Sequence, residues 1–469
     1  MGGRVGVTTD TASYPDAAAR HSEQRAWYWY DWANSAYVTT TATVLFAPYL
    51  TSVAERAACG FVGEEDRPCR ETLEVLGLQL SPGSIVFYAI TATTLLSAVV
   101  LPVIGAIADR SSSQRTLMAR LAWTGAAAAT AMGLVAGTNW TLGVALLFVA
   151  NLSLGGSLVV YDAILCRIAT PDERDRVSSR GWALGYLGGG LLLATNLALV
   201  TFAGSVGLST STAVRISLVA AGVWWAAFTL IPYRGLRDRV ASLPDEQAGP
   251  PGSGLLRRSF GQLWTTLRST RQYPQTLLFL LAYLFYNDGI QTVIASASVY
   301  GEKELGLETS FLILAILVVQ FVAFGGALLF GRVAESWGSK RTIIAGLTVW
   351  CAVVFAGYFL PARAPGAFLG LAIGIGLVLG GTQALSRSFY SQLVPAGREA
   401  EYFSLYQACE RGTSWLGTLL FGLVYQLSGS YRPSILALLM FFVVGLLLLI
   451  PLDARRAIRE AGNEVPATV

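Results

Sequence analysis

The chain has 469 residues, of which 54% are hydrophobic and only 13% are charged, and its mean hydropathy is +0.53. Soluble domains carry about 25% charged residues, so this composition excludes an ordinary soluble protein, and its hydrophobicity excludes a disordered one. The single histidine, His21, lies in a polar N-terminal segment, which argues against His-based metal sites and catalytic triads. We therefore expect an all-α membrane protein that is not an enzyme and has no metal or cofactor.

The long apolar stretches predict twelve membrane helices in two groups of six. A helix that spans a bilayer needs about 20 mostly apolar residues. The first six predicted spans are 27–53, 83–107, 116–137, 140–164, 181–204 and 211–233. The second six are 275–299, 309–333, 341–361, 364–388, 403–427 and 432–452. The predicted bundles therefore cover 27–233 and 274–452.

The distribution of basic residues predicts the orientation. Lys and Arg are enriched in short cytoplasmic loops of membrane proteins. With both termini in the cytoplasm, the inside segments hold 25 of the 33 basic residues and the outside segments hold 7. We therefore predict a multi-pass protein of the cytoplasmic (inner) membrane, with cytoplasmic tails at 1–26 and 453–469. The basic residues are explained without a nucleic-acid partner.

Two longer polar segments interrupt the predicted spans. The external loop 55–81 contains Cys59 and Cys69, which an oxidising compartment would allow to pair. The alternative is two free thiols in a mobile loop. The central cytoplasmic linker 234–273 contains apolar residues at helical spacing between 256 and 268, with arginines among them. This pattern is typical of a helix on the membrane surface, or of a short soluble helix packed on the helix ends.

A short motif of glycine, acid and arginine occurs once in each predicted bundle. In both copies the acid follows the glycine by four residues and the last arginine follows the acid by six. The copies consist of Gly105, Asp109, Arg110 and Arg115, and of Gly331, Glu335 and Arg341. We expect these loops to act as cytoplasmic latches between helices. The other interpretation is a tight, positively charged turn that fixes topology.

The loop 105–115 resembles the signature between helices 2 and 3 of the major facilitator superfamily, and the second copy resembles a degenerate form of it. Further stretches resemble the bacterial relatives of the fungal autophagy-linked vacuolar amino-acid effluxers. These stretches are 30–37, 181–190, 286–292, 383–388 and 397–403. Asp162, Arg167 and the pair Glu410-Arg411 depart from the usual pattern.

The resemblance implies two pseudo-symmetric six-helix bundles with a central cavity that opens alternately to each side of the membrane. It also implies efflux of a small, amino-acid-like metabolite, and we expect the transport to be proton-coupled. The expected partners are the substrate, protons and membrane lipids, and the expected state is a monomer. An exporter of drug-like or lipid-like amphiphiles is the alternative within the fold. A receptor or scaffold that does not transport is the alternative of another class.

Two acids within the predicted spans are candidates for proton coupling. Asp288 lies 14 residues after Pro274, which is about 20 Å along a helix. A carboxylate near the membrane centre costs at least ~2.5 kcal/mol unless it is neutral, paired or hydrated. Asp288 is therefore either a proton carrier or a structural acid that pairs with a neighbouring helix, for example through Arg411. Asp31 lies just inside the first predicted span, as a cytoplasmic gate or as a stabiliser of the helix N-terminus.

Polar residues within the predicted spans are candidates for substrate contact. Arg411 suits an anionic group such as a carboxylate, and the alternative is a salt bridge between helices. Arg387 lies near a predicted helix end and could extend to the cytoplasmic face. The complete set of substrate candidates is Asn34, Tyr37, Tyr286, Asn287, Gln291, Gln383, Glu410 and Arg411.

Overall fold

The computed structural model describes residues 16–63, 69–75, 77–238, 272–412 and 414–469. The amphipathic pattern predicted between 256 and 268 lies outside these residues. The described chain is almost entirely helical. It also contains a short antiparallel hairpin of β1 (Leu73–Val75) and β2 (Leu78–Leu80), in which Leu73 pairs with Leu80.

The helices of the first half follow the apolar stretches of the sequence. They are α1 (Ala17–Ala36), α2 (Phe46–Cys59), α3 (Ile85–Arg110), α4 (Gln114–Ala131), α5 (Trp140–Ile168), α6 (Arg174–Thr201) and α7 (Thr210–Gly235). A π-helical segment, Tyr37–Leu45, joins α1 to α2, so that these elements form one long helical run.

The second half contains four long helices followed by shorter pieces. They are α8 (Pro274–Val299), α9 (Thr309–Trp337), α10 (Ser339–Tyr358), α11 (Pro365–Gln392), α12 (Glu399–Gly412), α13 (Ser414–Ser428), α14 (Tyr431–Ala437), α15 (Leu439–Leu449) and α16 (Ala454–Glu460). Within the described residues, nine helical segments are long and apolar enough to cross a membrane. The chain is therefore a multi-pass membrane protein.

The first helix begins well before the predicted bound at residue 27. The carboxylate of Asp16 accepts a hydrogen bond from the Ala19 amide at 2.7 Å, which caps a helix that begins at Ala17. The end of the segment predicted as a tail, 1–26, is therefore helical. At the end of the π-helical segment, the amide of Phe46 donates to the carbonyl of Thr41, five residues earlier, as π-helical geometry requires.

A disulfide between Cys59 and Cys69 closes the polar loop after α2. The Glu55 carboxylate accepts a hydrogen bond from the Gly63 amide at 3.1 Å within the same loop. Together these contacts tie the end of α2 to the segment that leads into the β1–β2 hairpin.

Small residues allow neighbouring helices to approach at backbone distance. Gly181, Gly185 and Gly189 of α6 face α1, and a Cβ atom at Gly185 would lie 2.7 Å from the Ser35 hydroxyl. On α11, a Cβ atom at Gly376 would lie 3.0 Å from a backbone carbonyl of α9. Close glycine contacts of this kind are typical of membrane helix pairs. A larger side chain at these positions would require neighbouring atoms to shift.

Candidate functional site: a central cavity and a buried charge cluster

A cavity of about 260 Å³ lies between the two halves. Its walls extend to the first turn of α3, at the end of the bundle that carries the disulfide loop. Its polar lining residues come from α3, α5, α8 and α12. The lining residues are Ala42, Phe46, Ala47, Val86, Ile90, Thr93, Thr94, Ser97, Leu147, Asn151, Gln291, Glu410 and Arg411.

Glu410 and Arg411 bring opposite charges into this cavity. Both are partly exposed, and both contact Gln407 one turn earlier on α12. The Gln407 amide nitrogen donates to Glu410 at 3.2 Å, and its oxygen accepts from Arg411 Nε at 3.4 Å. A Cβ atom at Gly155 of α5 would lie 3.7 Å from Arg411 Nε, so this glycine leaves room for the guanidinium. The cavity thus offers a cation and an anion side by side.

Two other polar side chains of the cavity come from facing halves. Gln291 lines it from α8, as the sequence predicts for a substrate contact, and Asn151 lines it from α5. The hydroxyl of the buried Tyr37 donates to Asn151 Oδ1 at 3.0 Å, so that Tyr37 lies behind the wall and orients Asn151. Sequence reasoning missed Asn151, although a lone amide within an apolar span is a visible signal.

Four other substrate candidates are buried outside the described cavity wall. The Asn34 amide donates to the Tyr30 carbonyl at 2.6 Å, and the Asn287 amide donates to the Glu410 carbonyl at 3.2 Å. The remaining two hydrogen bonds join Tyr286 to Ser386 at 2.6 Å and Tyr186 to Gln383 at 2.8 Å. The Asn34 bond lies within α1, whereas the other three hydrogen bonds connect helices, and Tyr186–Gln383 connects the two halves.

Asp288 is fully buried, with 0% of its surface exposed, between α8 and α13. Its Oδ2 accepts a hydrogen bond from the Gly417 amide at 2.8 Å. Its Oδ1 has no hydrogen-bond partner among the described residues. The contact is thus with the backbone of α13, and not with Arg411 as the structural alternative supposed.

A second charged group lies at the end of the bundle that the sequence predicts to be cytoplasmic. Arg387 of α11 is only 2% exposed and pairs with two acids of the first half. Its Nη2 lies 3.0 Å from Asp31 Oδ2, and its Nη1 lies 3.3 Å from Asp162 Oδ1. Arg387 therefore joins the halves instead of reaching the membrane surface. Asp31 lies far beyond the first turn of α1, so it does not stabilise the helix N-terminus.

Aromatic rings enclose the Arg387 guanidinium. Its Cζ lies 4.8 Å from the Trp27 ring centroid and 5.4 Å from those of Tyr161 and Trp182. The guanidinium donates two further hydrogen bonds to Ser178, from Nε to Oγ at 3.0 Å and from Nη2 to the carbonyl at 3.1 Å. Rings at these distances stabilise a cation through cation–π attraction. The guanidinium is thus desolvated but well satisfied.

Hydrogen bonds connect this cluster to the cavity. The Gln407 amide nitrogen donates to Asp162 Oδ2 at 2.9 Å as well as to Glu410 Oε2 at 3.2 Å. A continuous polar path therefore runs from Arg387 through Asp162 and Gln407 to Glu410. Sequence reasoning noted Asp162 as a departure from the family pattern, but it did not predict this path.

The first glycine–acid loop contacts the second half through the backbone. Asp109 accepts hydrogen bonds from the Ala400 and Glu401 amides at 2.9 and 2.8 Å, at the start of α12. A carboxylate is favoured there because helix N-termini carry partial positive charge. A Cβ atom at Gly105 would lie 2.6 Å from the Ala400 carbonyl oxygen, so only glycine fits. Arg115 pairs with Asp238 at 2.8 Å, and not with Asp109.

The second copy of the loop makes a different contact. A Cβ atom at Gly331 would lie 2.7 Å from Ser179 of α6, so this glycine packs against the first half. The side chains of Glu335 and Arg341 are exposed. Asp175 of α6 makes the polar contact here, because it accepts hydrogen bonds at 2.6 Å from Ser339 of α10 and from Ser388 of α11, both across the halves.

The family model described as "Vacuole effluxer Atg22 like" matches residues 19–462, which is nearly all of the described chain. The chain belongs to the Atg22-like family. Among its relatives is YxiO of Bacillus subtilis (strain 168), described as an uncharacterized MFS-type transporter, which is 28% identical over 95% of this chain and 98% of YxiO. Autophagy-related protein 22-2 of Emericella nidulans is 24% identical over 83% of this chain and 80% of its own length.

Solved structures place this Atg22-like chain in the major facilitator fold. The transporter FucP in its outward conformation has a TM-score of 0.64 at 12% identity, with 93% of this chain and 99% of FucP covered. The proton:xylose symporter XylE has a TM-score of 0.68 at 12% identity, with 93% and 96% covered. The chain therefore has the major facilitator fold, and YxiO, FucP and XylE are transporters by their descriptions, not enzymes.

Proposed function

We propose that the protein moves a small zwitterionic, amino-acid-like metabolite across the cytoplasmic membrane by alternating access. The observation that carries the proposal is the pair Glu410 and Arg411 in the cavity between the halves. A guanidinium binds a carboxylate with paired hydrogen bonds, and a carboxylate binds an ammonium. Neighbouring side chains of opposite charge therefore suit a ligand whose own two charges lie close together.

The contacts between the halves support alternating access. The Arg387 cluster and the Asp109 contact close the end of the bundle that the sequence predicts to be cytoplasmic, while the cavity extends toward the opposite end. Transporters of this class rock two halves around a central site. The proposal includes twelve spans, cytoplasmic termini, a monomer and transport in the efflux direction.

Proton coupling in this proposal rests on carboxylates, because the only histidine is His21 in the N-terminal region. Asp288 is the first candidate, since it is buried within a candidate membrane span and one of its oxygens lacks a described partner. Asp31 is the second candidate, because separation of the halves would remove its Arg387 partner.

The exporter of drug-like or lipid-like amphiphiles is the second candidate function. The observation that favours it is the apolar part of the cavity wall, which includes Phe46, Val86 and Ile90. A neutral amphiphile would use this wall and would not need Arg411. In a receptor or scaffold, neither the charged pair Glu410 and Arg411 nor the apolar wall of the cavity would have a transport role.

Reconstitution in liposomes tests the proposal. We would measure flux of a panel of labelled amino acids and of labelled phospholipid, with and without a pH gradient. The proposal expects amino-acid flux that Arg411→Gln reduces at least about tenfold, because a charge-assisted hydrogen bond is lost. Arg456→Gln is the control, since Arg456 forms an exposed ion pair on α16. Lipid flux alone would support the amphiphile exporter, and absence of any flux would support the receptor.

A further inference from the structure

The N-terminal half contains a pocket that holds the Arg387 side chain of the other half. We propose that this acidic aromatic pocket is a cytoplasm-facing binding site for an organic cation, a primary ammonium or guanidinium group, which occupies it when Arg387 withdraws. The pocket consists of Trp27, Asp31, Tyr161, Asp162, Ser178 and Trp182. The inference rests on the proposed alternating access and identifies the substrate group that is bound on the cytoplasmic side.

The pocket and its occupant belong to different halves. Its residues come from α1, α5 and α6, whereas Arg387 comes from α11. Rocking of one half against the other separates them and leaves the pocket open to the predicted cytoplasmic side. Arg387 therefore occupies the pocket only while that side is closed.

The charges of the pocket do not balance even when it is occupied. Asp31 and Asp162 are two acids, and Arg387 is the single described guanidinium that lies between them. Removal of the cationic partner from a buried pair is strongly destabilising. Withdrawal of Arg387 would leave both carboxylates facing one opening. This arrangement favours entry of another cation.

The polar atoms of the pocket suit a ligand that only donates hydrogen bonds. Both Asp31 oxygens, Asp162 Oδ1, and the hydroxyl and carbonyl of Ser178 accept from Arg387. Ammonium and guanidinium groups have donors and no acceptors. A neutral amide or an alcohol presents at least one acceptor, which would meet a carboxylate oxygen. The pocket therefore favours cations that only donate hydrogen bonds over neutral amides and alcohols.

The aromatic walls of the pocket are held by contacts within the N-terminal half, which do not involve Arg387. Trp27 stacks on Tyr161 with ring centroids 4.2 Å apart, and its Nε1 donates to the Tyr161 carbonyl at 2.9 Å. Gly181 provides the remaining space, because a Cβ atom there would lie 2.5 Å from Asp31 Oδ2 and 3.1 Å from Arg387 Nη2. A small cationic head group fits the same space as the guanidinium.

The pocket also lies on the polar path from the cavity. Gln407 connects Asp162 of the pocket to Glu410 of the cavity. An ammonium group bound at Glu410 in one state thus has a second acidic site one side chain away. The two sites form successive positions for the same cationic group.

Chemical rescue tests the pocket directly. Arg387→Ala empties it in the full chain, and the probe is methylguanidinium, with the neutral methylurea as its near-isosteric comparison. We expect methylguanidinium to raise the melting temperature of detergent-purified Arg387→Ala in a saturable way, because a ligand that binds only the folded state stabilises it. Methylurea should have no such effect. Adding Asp162→Asn should weaken binding, so that the methylguanidinium concentration at half-maximal stabilisation rises at least about tenfold, since a charged acceptor is lost.

Arg174→Ala is the matched control. Arg174 is another buried arginine at the boundary of the halves, but it donates to the carbonyls of Ala169, Ser391 and Cys166. Its removal should create no methylguanidinium response. Equal responses of both variants, or equal responses to methylurea, would overturn the proposal. If Arg387→Ala does not fold, Arg387→Ser serves in its place, because its short side chain also leaves the pocket empty.

A transport experiment tests the site in the unmodified protein. Methylguanidinium on the cytoplasmic side of oriented proteoliposomes should inhibit flux of whichever labelled amino acid is carried, and the same concentration of methylurea should not. Flux without inhibition would overturn the pocket and leave the proposed function intact. Failure to find any flux would count against the proposed function, while the rescue experiment would still decide whether the pocket binds cations.

Discussion

Arg387 of α11 and Asp31 of α1 form a buried ion pair with 3.0 Å between Nη2 and Oδ2, and this pair joins the two halves of the protein. Removal of one partner from a buried pair costs about 3–5 kcal/mol because the other charge stays unpaired. Asp162 remains within 3.3 Å of the guanidinium and offsets part of that cost. The pair therefore contributes to closure of the predicted cytoplasmic end and not to the stability of either half alone.

Asp31→Asn should shift the protein toward opening at that end. Cys166 is a suitable reporter, because it is buried with its thiol 3.6 Å from the Ser391 carbonyl of the other half. We expect Cys166 to react several-fold faster with a maleimide in Asp31→Asn, measured by mass spectrometry with Cys351 and Cys409 replaced by serine. Arg456→Gln in the same background should leave the rate unchanged. An unchanged rate in Asp31→Asn would show that the ion pair does not hold this end closed.

Gly105→Ala should destabilise the contact between α3 and α12. The added methyl group would lie 2.6 Å from the Ala400 carbonyl oxygen, where a backbone atom cannot move aside cheaply. Overpacking of this kind costs about 1–3 kcal/mol, so we expect a lower melting temperature in detergent. Gly370→Ala on α11 is the control, since no atom lies within 4 Å of its Cβ position. A fall of similar size in both variants would contradict the steric explanation.

Asp288→Asn should remove the dependence of transport on a pH gradient. The asparagine oxygen can still accept the hydrogen bond from the Gly417 amide, but the side chain can no longer bind and release a proton. We expect substrate exchange without a gradient to continue, while gradient-driven accumulation falls to the background level. Liposome flux under both conditions measures the two quantities. Full gradient-driven accumulation in this variant would show that an acid other than Asp288 couples transport to protons.

Thiol counting should reveal the disulfide. The chain has five cysteines, and the structure leaves Cys166, Cys351 and Cys409 free. Denatured protein should therefore bind three maleimides before reduction and five after it. The double replacement of Cys59 and Cys69 by serine should preserve transport, because the loop that they close lies outside the described cavity wall. Five reactive thiols without reduction would contradict the pairing.

The apolar pattern was sufficient to predict membrane helices, since nine described helical segments meet the requirements of length and composition. It failed at the start of α1, because the first turns of that helix are polar and hydropathy does not report a capped helix outside the membrane core. The break between α14 and α15 was also missed. The residues on both sides of the break, 435–437 and Leu439–Leu449, are apolar, and a local change of helix geometry leaves no mark on hydropathy.

The candidate site was accessible from the sequence only in part. Glu410, Arg411 and Gln291 are charged or polar residues within apolar spans, and the structure places them at the cavity. The partners of Arg387 could not be identified in this way, because Asp31 and Asp162 lie 356 and 225 positions away along the chain. A buried ion pair between distant helices depends on the packing of the halves. No local pattern contains that information.

The glycines of α6 have a consequence for the exchange of cations at the acidic aromatic pocket. They hold α6 at backbone distance from α1, and these two helices supply Trp27, Asp31, Ser178 and Trp182 of the pocket. The walls that α1 and α6 supply therefore move as one rigid body when the halves tilt. A binding site that keeps its shape loses little conformational entropy when its ligand changes. Replacement of Arg387 by a free cation is thus governed by charge and hydration, and not by refolding of the walls.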